Sequence, residues 1–125
     1  MIHDATKQIL IVDDDEMIRE YVKELLLFND YKVAEAGNGK EGLKQVYKNV
    51  PDLVITDIVM PEMEGISFIQ ELRAHNKNIP IIAMTGNING RMEELLELSS
   101  QLGADETLRK PINSKELITT INKLI

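Results

Sequence analysis

Several short, strand-like segments of the sequence each end in a side chain that could bind a cation or a phosphoryl group. In chain order these side chains are Asp13, Asp14, Asp15, Asp57, Thr85 and Lys110. Neighbouring carboxylates repel one another by roughly 4 kcal/mol at about 4 Å and an effective dielectric near 20. Mg2+ relieves this repulsion through the oxygen ligands that it prefers. A lysine adds a point charge for a phosphoryl oxygen, and a hydroxyl adds a donor. The set predicts a magnesium-dependent phosphoryl-transfer site with a carboxylate nucleophile.

Each residue of this set also has an ordinary structural interpretation. Three consecutive aspartates are usually a solvated turn or a helix cap, and Asp57 could cap a turn. Thr85 alone indicates little, and a lysine before a proline is usually a surface residue. Their combined occurrence at the ends of separate strands favours a common site.

Such a site requires the segments to form one sheet. Hydrophobic patterning predicts strands at residues 8–12, 31–36, 53–56, 79–84 and 106–109. It predicts helices at 16–28, 39–49, 66–74, 91–102 and from a cap at Asn113 to about 124. Five strand–helix units predict an α/β fold with a doubly wound, five-stranded parallel sheet and helices on both faces. Ligands of such sheets bind beyond the carboxyl ends of the strands.

The composition narrows the classes of protein to consider. A chain of 125 residues fits a single domain over 1–125, with a core at about 8–124. No cysteine is present, which excludes disulfides and thiolate metal sites. The net charge of −7 opposes direct nucleic acid binding. No apolar run is long enough to span a membrane and no signal peptide is recognisable, so we expect a cytoplasmic location.

The motifs around the candidate site resemble those of the receiver domain of bacterial response regulators. The matching segments are residues 9–15, 36–43, 52–65, 81–86, 102–105 and 110–111. The most specific is 52–65, which has Glu64 where aspartate is more usual, and 81–86 has Gly86 where alanine or serine is commoner. The resemblance covers residues 8–124 and implies the flavodoxin-like strand order 2-1-3-4-5.

The resemblance also implies a role for each site residue. Asp57 is the expected phosphoacceptor, and Thr85 and Lys110 contact the phosphoryl group. The expected Mg2+ ligands are Asp13, Asp14, Asp57 and the backbone carbonyl of Val59. The Lys110–Pro111 peptide bond is expected to be cis. Asp15 matches no site role and is interpreted as the residue that starts a helix.

The partners implied by the resemblance are signalling proteins. The phosphoryl donor is expected to be a phosphohistidine on a sensor histidine kinase or a histidine phosphotransfer protein. The receiver then acts on a downstream protein or output domain, either as a stand-alone regulator or as part of a longer protein. The resemblance also implies that the chain catalyses its own phosphorylation and slow dephosphorylation, and that it acts as a switch rather than a metabolic enzyme.

Two further hypotheses concern departures from the family pattern. Thr107 occupies the position, three residues before Lys110, where the family usually has an aromatic ring that couples to the threonine. We therefore expect the loop 85–90 and the helix 91–102 to carry the output. Val59 and Asn87 flank the expected path of the attacking water without offering a general base, which predicts a long-lived acyl phosphate.

Two alternative functions compete with this interpretation. A haloacid-dehalogenase-like phosphatase would use Asp13 as nucleophile and Asp15 as acid and base. Met17 is atypical for that family, no later acidic pair follows Lys110, and the chain has no room for a cap domain. A binding-only receiver that takes no phosphate is the second alternative, and Thr107 is its main support.

Overall fold

Strands and helices alternate along the residues that the computed structural model describes, which are 6–60, 65–86 and 90–125. The strands are β1 (Gln8–Val12), β2 (Lys32–Ala36), β3 (Leu53–Asp57), β4 (Ile81–Thr85) and β5 (Glu106–Arg109). The helices are α1 (Glu16–Phe28), α2 (Gly39–Lys48), α3 (Gly65–His75), α4 (Met92–Leu102) and α5 (Ser114–Leu124). None of these helices is long and apolar enough to cross a bilayer.

The strands form one parallel sheet in the order β2-β1-β3-β4-β5, which confirms the predicted order. The register brings the strand ends to one level, because Thr56 pairs with both Val12 and Ala83. Asp57 then pairs with Met84, and Thr85 pairs with Arg109. All four residue groups of the candidate site therefore leave the sheet at the same carboxyl edge.

Two apolar layers cover the two faces of the sheet. Alternate residues of β1 face opposite ways, so that Leu10 and Val12 belong to one layer and Ile9 and Ile11 to the other. The first layer packs against α2, α3 and α4, and the second packs against α1 and α5. Burial of both faces explains why the central strands are continuous apolar runs rather than alternating ones.

The predicted bounds hold for β1, α1, β5 and α5 and shift slightly elsewhere. β2 begins one residue later than predicted, because the N–H of Tyr31 donates to the carbonyl of Leu26 at the end of α1. β4 begins at Ile81 instead of residue 79. The N–H of Ile79 donates to the Asn76 side chain, and Pro80 has no N–H to contribute to the sheet.

Candidate functional site

The turn between β1 and α1 carries the first acidic residues. Asp13 is completely buried, and its Oδ1 accepts a hydrogen bond of 2.9 Å from the backbone N–H of Asp15. Asp14, in contrast, is exposed. The carboxylate of Asp15 accepts bonds from the N–H groups of Met17 and Ile18, so Asp15 is the N-cap of α1. This confirms the prediction that Asp15 starts the helix.

Asp57 ends β3 and is only 6% exposed. Its Oδ1 accepts a hydrogen bond of 3.3 Å from the N–H of Val59. Gly65, the first residue of α3, lies against the same backbone and donates its N–H to the carbonyl of Ile58 at 2.8 Å. A Cβ at Gly65 would overlap the carbonyl oxygen of Asp57 and lie 2.6 Å from the Cα of Ile58. Only glycine allows this close packing, which fixes the backbone that carries Asp57.

Lys110 joins the two buried carboxylates. Its Nζ donates to Oδ2 of Asp13 at 2.8 Å and to Oδ2 of Asp57 at 3.1 Å. Its backbone N–H donates to the carbonyl of Thr85 at 2.8 Å, which attaches the end of β5 to the end of β4. The Lys110–Pro111 peptide bond is cis, as the resemblance implied. The sheet therefore delivers an ammonium group between two acids from different strands.

Three carboxylates are close enough to share one cation. Asp13, Asp14 and Asp57 each contribute an oxygen, and these oxygens lie within 4.8 Å of one another. An oxygen-only set suits a hard divalent cation such as Mg2+ better than a softer metal, which would favour sulfur or imidazole. The residues present therefore fit a divalent cation. The backbone carbonyl of Val59 as a further ligand stays a prediction.

The charges in the pocket influence one another strongly. Burial and the neighbouring charge of Asp13 raise the pKa of Asp57 to about 6, while Lys110 opposes that rise. Burial disfavours the charged form of Lys110, but the hydrogen bond to Asp13 and the charge of Asp57 outweigh it, so the pKa of Lys110 is raised. At neutral pH Asp57 is therefore ionised and Lys110 is charged. Three carboxylates against one ammonium leave the pocket with a net attraction for cations.

Thr85 lies at the end of β4 and is fully buried. Its hydroxyl donates to the carbonyl of Gly86 at 3.2 Å. Within the described ranges, the side-chain hydrogen bonds to Asp57 come from Val59 and Lys110 and not from Thr85. The structure thus places Thr85 beside the cluster, with its hydroxyl bonded to its own chain.

The structure describes some of the residues that depart from the family pattern. Thr107 is half-buried in β5, where it pairs with Ala83. The side chain of Val59 is 37% exposed. Asn87 and Glu64 lie outside the described residues, as does the centre of the loop 85–90.

Sequence reasoning missed two residues that contact the site. Gly65 carried a signal, since a glycine between a functional strand and the predicted helix at 66–74 can indicate a close backbone approach. Arg19 donates from Nη1 to the carbonyl oxygen of Asp13 at 2.8 Å. Its signal was its spacing, because Arg19 is one helical turn beyond the N-cap Asp15 and so lies on the same side of α1.

The fold and the site together define a flavodoxin-like α/β domain with an acidic pocket at the carboxyl edge of its sheet. The profile of the response regulator receiver domain matches residues 9–122. The chain therefore belongs to the response regulator receiver domain family, whose members act in two-component signalling.

Similar proteins support this assignment in sequence and in structure. Response regulator MprA of Mycobacterium leprae (strain TN) is 35% identical over 118 residues, which are 94% of this chain and 50% of that protein. Response regulator MprA of Mycobacterium avium (strain 104) is 33% identical with the same coverage. The chain thus spans about half the length of the curated relatives that it matches.

Solved structures of similar proteins share the whole fold. A putative response regulator from Chloroflexus aurantiacus has a TM-score of 0.88 at 31% identity, covering 95% of this chain and 97% of that one. The chemotaxis protein CheY4 of Vibrio cholerae has a TM-score of 0.86 at 29% identity, covering 97% and 100%. A CheY-like receiver domain protein from Methanospirillum hungatei has a TM-score of 0.88 at 32% identity, covering 95% and 93%.

Proposed function

We propose that this receiver domain takes a phosphoryl group onto Asp57 from a phosphohistidine donor. The observation that carries the proposal is the convergence of Lys110 and the acidic cluster on this one carboxylate. The pKa of Asp57 is raised to about 6 by burial and by Asp13, so the carboxylate is ionised at neutral pH yet more basic than an exposed aspartate. A basic, ionised carboxylate is suited to nucleophilic attack.

The two other carboxylates are less suited to be the nucleophile. The side chain of Asp13 is completely buried, whereas that of Asp57 is 9% exposed, so a phosphoryl donor can approach Asp57 more readily. Asp14 is exposed, so its carboxylate is well solvated. The dehalogenase-like alternative needs Asp13 to attack and Asp15 to transfer protons, but the Asp15 carboxylate accepts the bonds that cap α1. The comparisons give that alternative no support.

The chemistry can be described from the residues of the chain. An oxygen of Asp57 attacks phosphorus, the P–O bond forms, and the P–N bond to the donor histidine breaks with its electron pair returning to the imidazole. Lys110 would exchange its bond to Asp57 for one to a phosphoryl oxygen. Thr85 would turn its hydroxyl from the Gly86 carbonyl toward the phosphoryl group. Mg2+ bound by Asp13, Asp14, Asp57 and the Val59 carbonyl would supply positive charge that stabilises the transferring group.

The partners follow from this chemistry and from the family. The donor would be a sensor histidine kinase or a histidine phosphotransfer protein, and the acceptor of the signal a downstream protein or output domain, in the cytoplasm. Because Thr107 cannot act as a ring switch, we assign the output to the loop 85–90 and to α4. A link to α4 exists beside the site, since Arg109, next to Lys110, donates from Nε to Glu93 at 3.0 Å.

The test is phosphorylation by acetyl phosphate in the presence of Mg2+, followed by mass spectrometry of peptides. We expect one phosphate on Asp57, absent in Asp57→Asn and absent when EDTA replaces Mg2+. Asp52→Asn is the matched control, because Asp52 lies at the opposite end of β3 and accepts only from the N–H of Gln8 among the described residues. Phosphate on Asp13 would favour the alternative function of a haloacid-dehalogenase-like phosphatase. A protein that takes no phosphate would be a binding-only receiver.

A further inference from the structure

An arginine outside the acidic cluster supports the turn that carries two of its three carboxylates. Arg19 projects from the first turn of α1, and its side chain is 19% exposed. Its Nη1 donates to the carbonyl oxygen of Asp13 at 2.8 Å, and its Nε donates to Oε1 of Glu35 at 3.3 Å. One guanidinium therefore connects the end of β1, the start of α1 and the end of β2.

The carbonyl of Asp13 is where the chain leaves the sheet for the helix. The backbone N–H of Asp13 still donates to the carbonyl of Ala36 in β2, at 3.1 Å. Beyond that point, Arg19 and the cap of α1 hold the turn. The orientations of the Asp13 and Asp14 side chains depend on this turn, so a loss of the Arg19 bond would affect both together. A guanidinium is suited to this task, since its separate N–H groups can serve two acceptors at once.

Glu35 keeps the guanidinium in place. Its two oxygens are divided between Arg19 and Lys23, whose Nζ lies 3.1 Å from Oε2. Burial disfavours its ionised form, but the bonds from Lys23 and Arg19 outweigh this and lower the pKa of Glu35. The charge of Glu35 also offsets the positive charge that Arg19 brings near a site for cations.

We propose that Arg19 is a positioning residue for the cation site, acting through the backbone of Asp13. The proposal rests on the proposed function, because it assigns Mg2+ to the cluster of Asp13, Asp14 and Asp57. Partners that orient the ligands of a metal typically account for a tenfold or larger part of its affinity. Arg19 is placed to do this without touching the cation.

The sign of the effect separates positioning from simple charge. Removing a positive charge near an acidic pocket should strengthen Mg2+ binding if only electrostatics matter. Removing the support of the turn should instead weaken Mg2+ binding. Lys23 provides the matched control, since it lies one turn further along α1, binds the same Glu35 and contacts no residue of the acidic cluster among the described residues.

The experiment is calorimetric titration of the unphosphorylated protein with MgCl2, comparing Arg19→Met with Lys23→Met. Both variants lose one positive charge and keep an unbranched side chain that preserves packing. We expect Arg19→Met to bind Mg2+ roughly tenfold more weakly than wild type, and Lys23→Met to bind at least as tightly as wild type. Equal affinities of the two variants would overturn the proposal.

Two further measurements keep the result interpretable. Arg19→Lys preserves the charge but cannot serve both acceptors in the same way, so it should also bind Mg2+ more weakly than wild type; unchanged affinity would count against the bridge. Wild-type protein that bound no Mg2+ would refute the proposed function itself. Wild type that binds Mg2+ and is phosphorylated, with Arg19→Met indistinguishable from Lys23→Met, would refute only the role of Arg19.

Discussion

Lys110 is held between two acids at once, with its Nζ 2.8 Å from Oδ2 of Asp13 and 3.1 Å from Oδ2 of Asp57. Because this ammonium opposes the rise in the pKa of Asp57, Lys110→Met should move that pKa further upward, by at least about one pH unit. A carbon-13 NMR titration of the aspartate carboxyls in metal-free buffer measures it. Lys123→Met, which removes an exposed pair with Glu106, should leave the titration unchanged. An unshifted Asp57 in Lys110→Met would contradict the electrostatic account.

The raised pKa of Asp57 also makes this residue a source of instability. The folded value of about 6 lies above the ordinary value of 3.8, so the ionised carboxylate costs folding energy in full above pH 6 and nothing once both states are protonated. Asp57→Asn should therefore stabilise the metal-free protein at pH 7, on the order of 1–3 kcal/mol. The gain should disappear as the pH falls toward about 4.

Urea denaturation at a series of pH values tests this prediction. Asp52→Asn, at the far end of β3, is the control and should change stability little at any pH. MgCl2 should stabilise the wild type more than Asp57→Asn, because one of the three carboxylates of the cluster is then missing. An Asn variant that is less stable than wild type at pH 7 would contradict the rise in the pKa of Asp57 that burial and Asp13 produce.

The glycine that opens α3 should be indispensable for the geometry of the phosphoacceptor. A Cβ at Gly65 would overlap the Asp57 carbonyl, which is backbone and cannot turn aside. Gly65→Ala should therefore slow phosphorylation by acetyl phosphate at least about tenfold, since a displacement near 1 Å can cost more than that. Gly37→Ala is the control, because its Cβ would meet only the Arg19 side chain, at an ordinary 3.7 Å. Equal phosphorylation rates in the two variants would argue against the close packing.

The sequence was sufficient to predict the site residues because each of them follows directly after a strand. The continuous apolar runs predicted the central strands of the sheet, and the polar or charged residue after each run predicted a side chain of the site. The bounds that shifted depended on contacts between elements, as where the N–H of Tyr31 bonds to Leu26 at the end of α1 rather than joining β2. Arg19 shows the same limit at the site, since its role depends on the backbone of Asp13 and the side chain of Glu35 meeting around it.

At the amino ends of the strands, opposite the acidic pocket, Arg73 should contribute strongly to stability. Its guanidinium donates to the carbonyls of Gly103 and Ile79, at 3.0 and 2.7 Å, and to the carboxylate of Asp105 at 2.8 Å. Asp105 also accepts from the N–H of Ile81. Arg73→Ala would leave several partly buried acceptors unpaired, so it should lower the free energy of unfolding by about 2–4 kcal/mol.

Thermal and urea denaturation provide the measurement for Arg73. Arg91→Ala is the matched control, because Arg91 is exposed and pairs with Glu94 alone among the described residues, and it should change stability by less than about 0.5 kcal/mol. Since the contacts of Arg73 precede β4 and β5, at the end of the sheet opposite Asp57, the folded variant should still be phosphorylated at low temperature. Similar stabilities of the two arginine variants would show that the network around Arg73 adds little.

The ion pair between Arg109 and Glu93 should carry part of the signal from the site to α4. Arg109 precedes Lys110, and both its Nε and its Nη2 donate to one oxygen of Glu93 in the first turn of α4. A shift of Lys110 toward a phosphoryl oxygen would therefore also displace Arg109 and, through the ion pair, Glu93. With beryllofluoride as the phosphoryl mimic, amide shifts of α4 should be smaller in Glu93→Gln than in wild type, while those near Asp57 persist.

The control is Glu97→Gln, one turn further along the exposed face of α4, which should respond like wild type. An unchanged α4 response in Glu93→Gln would remove the ion pair from the output path and leave the loop 85–90 to carry it.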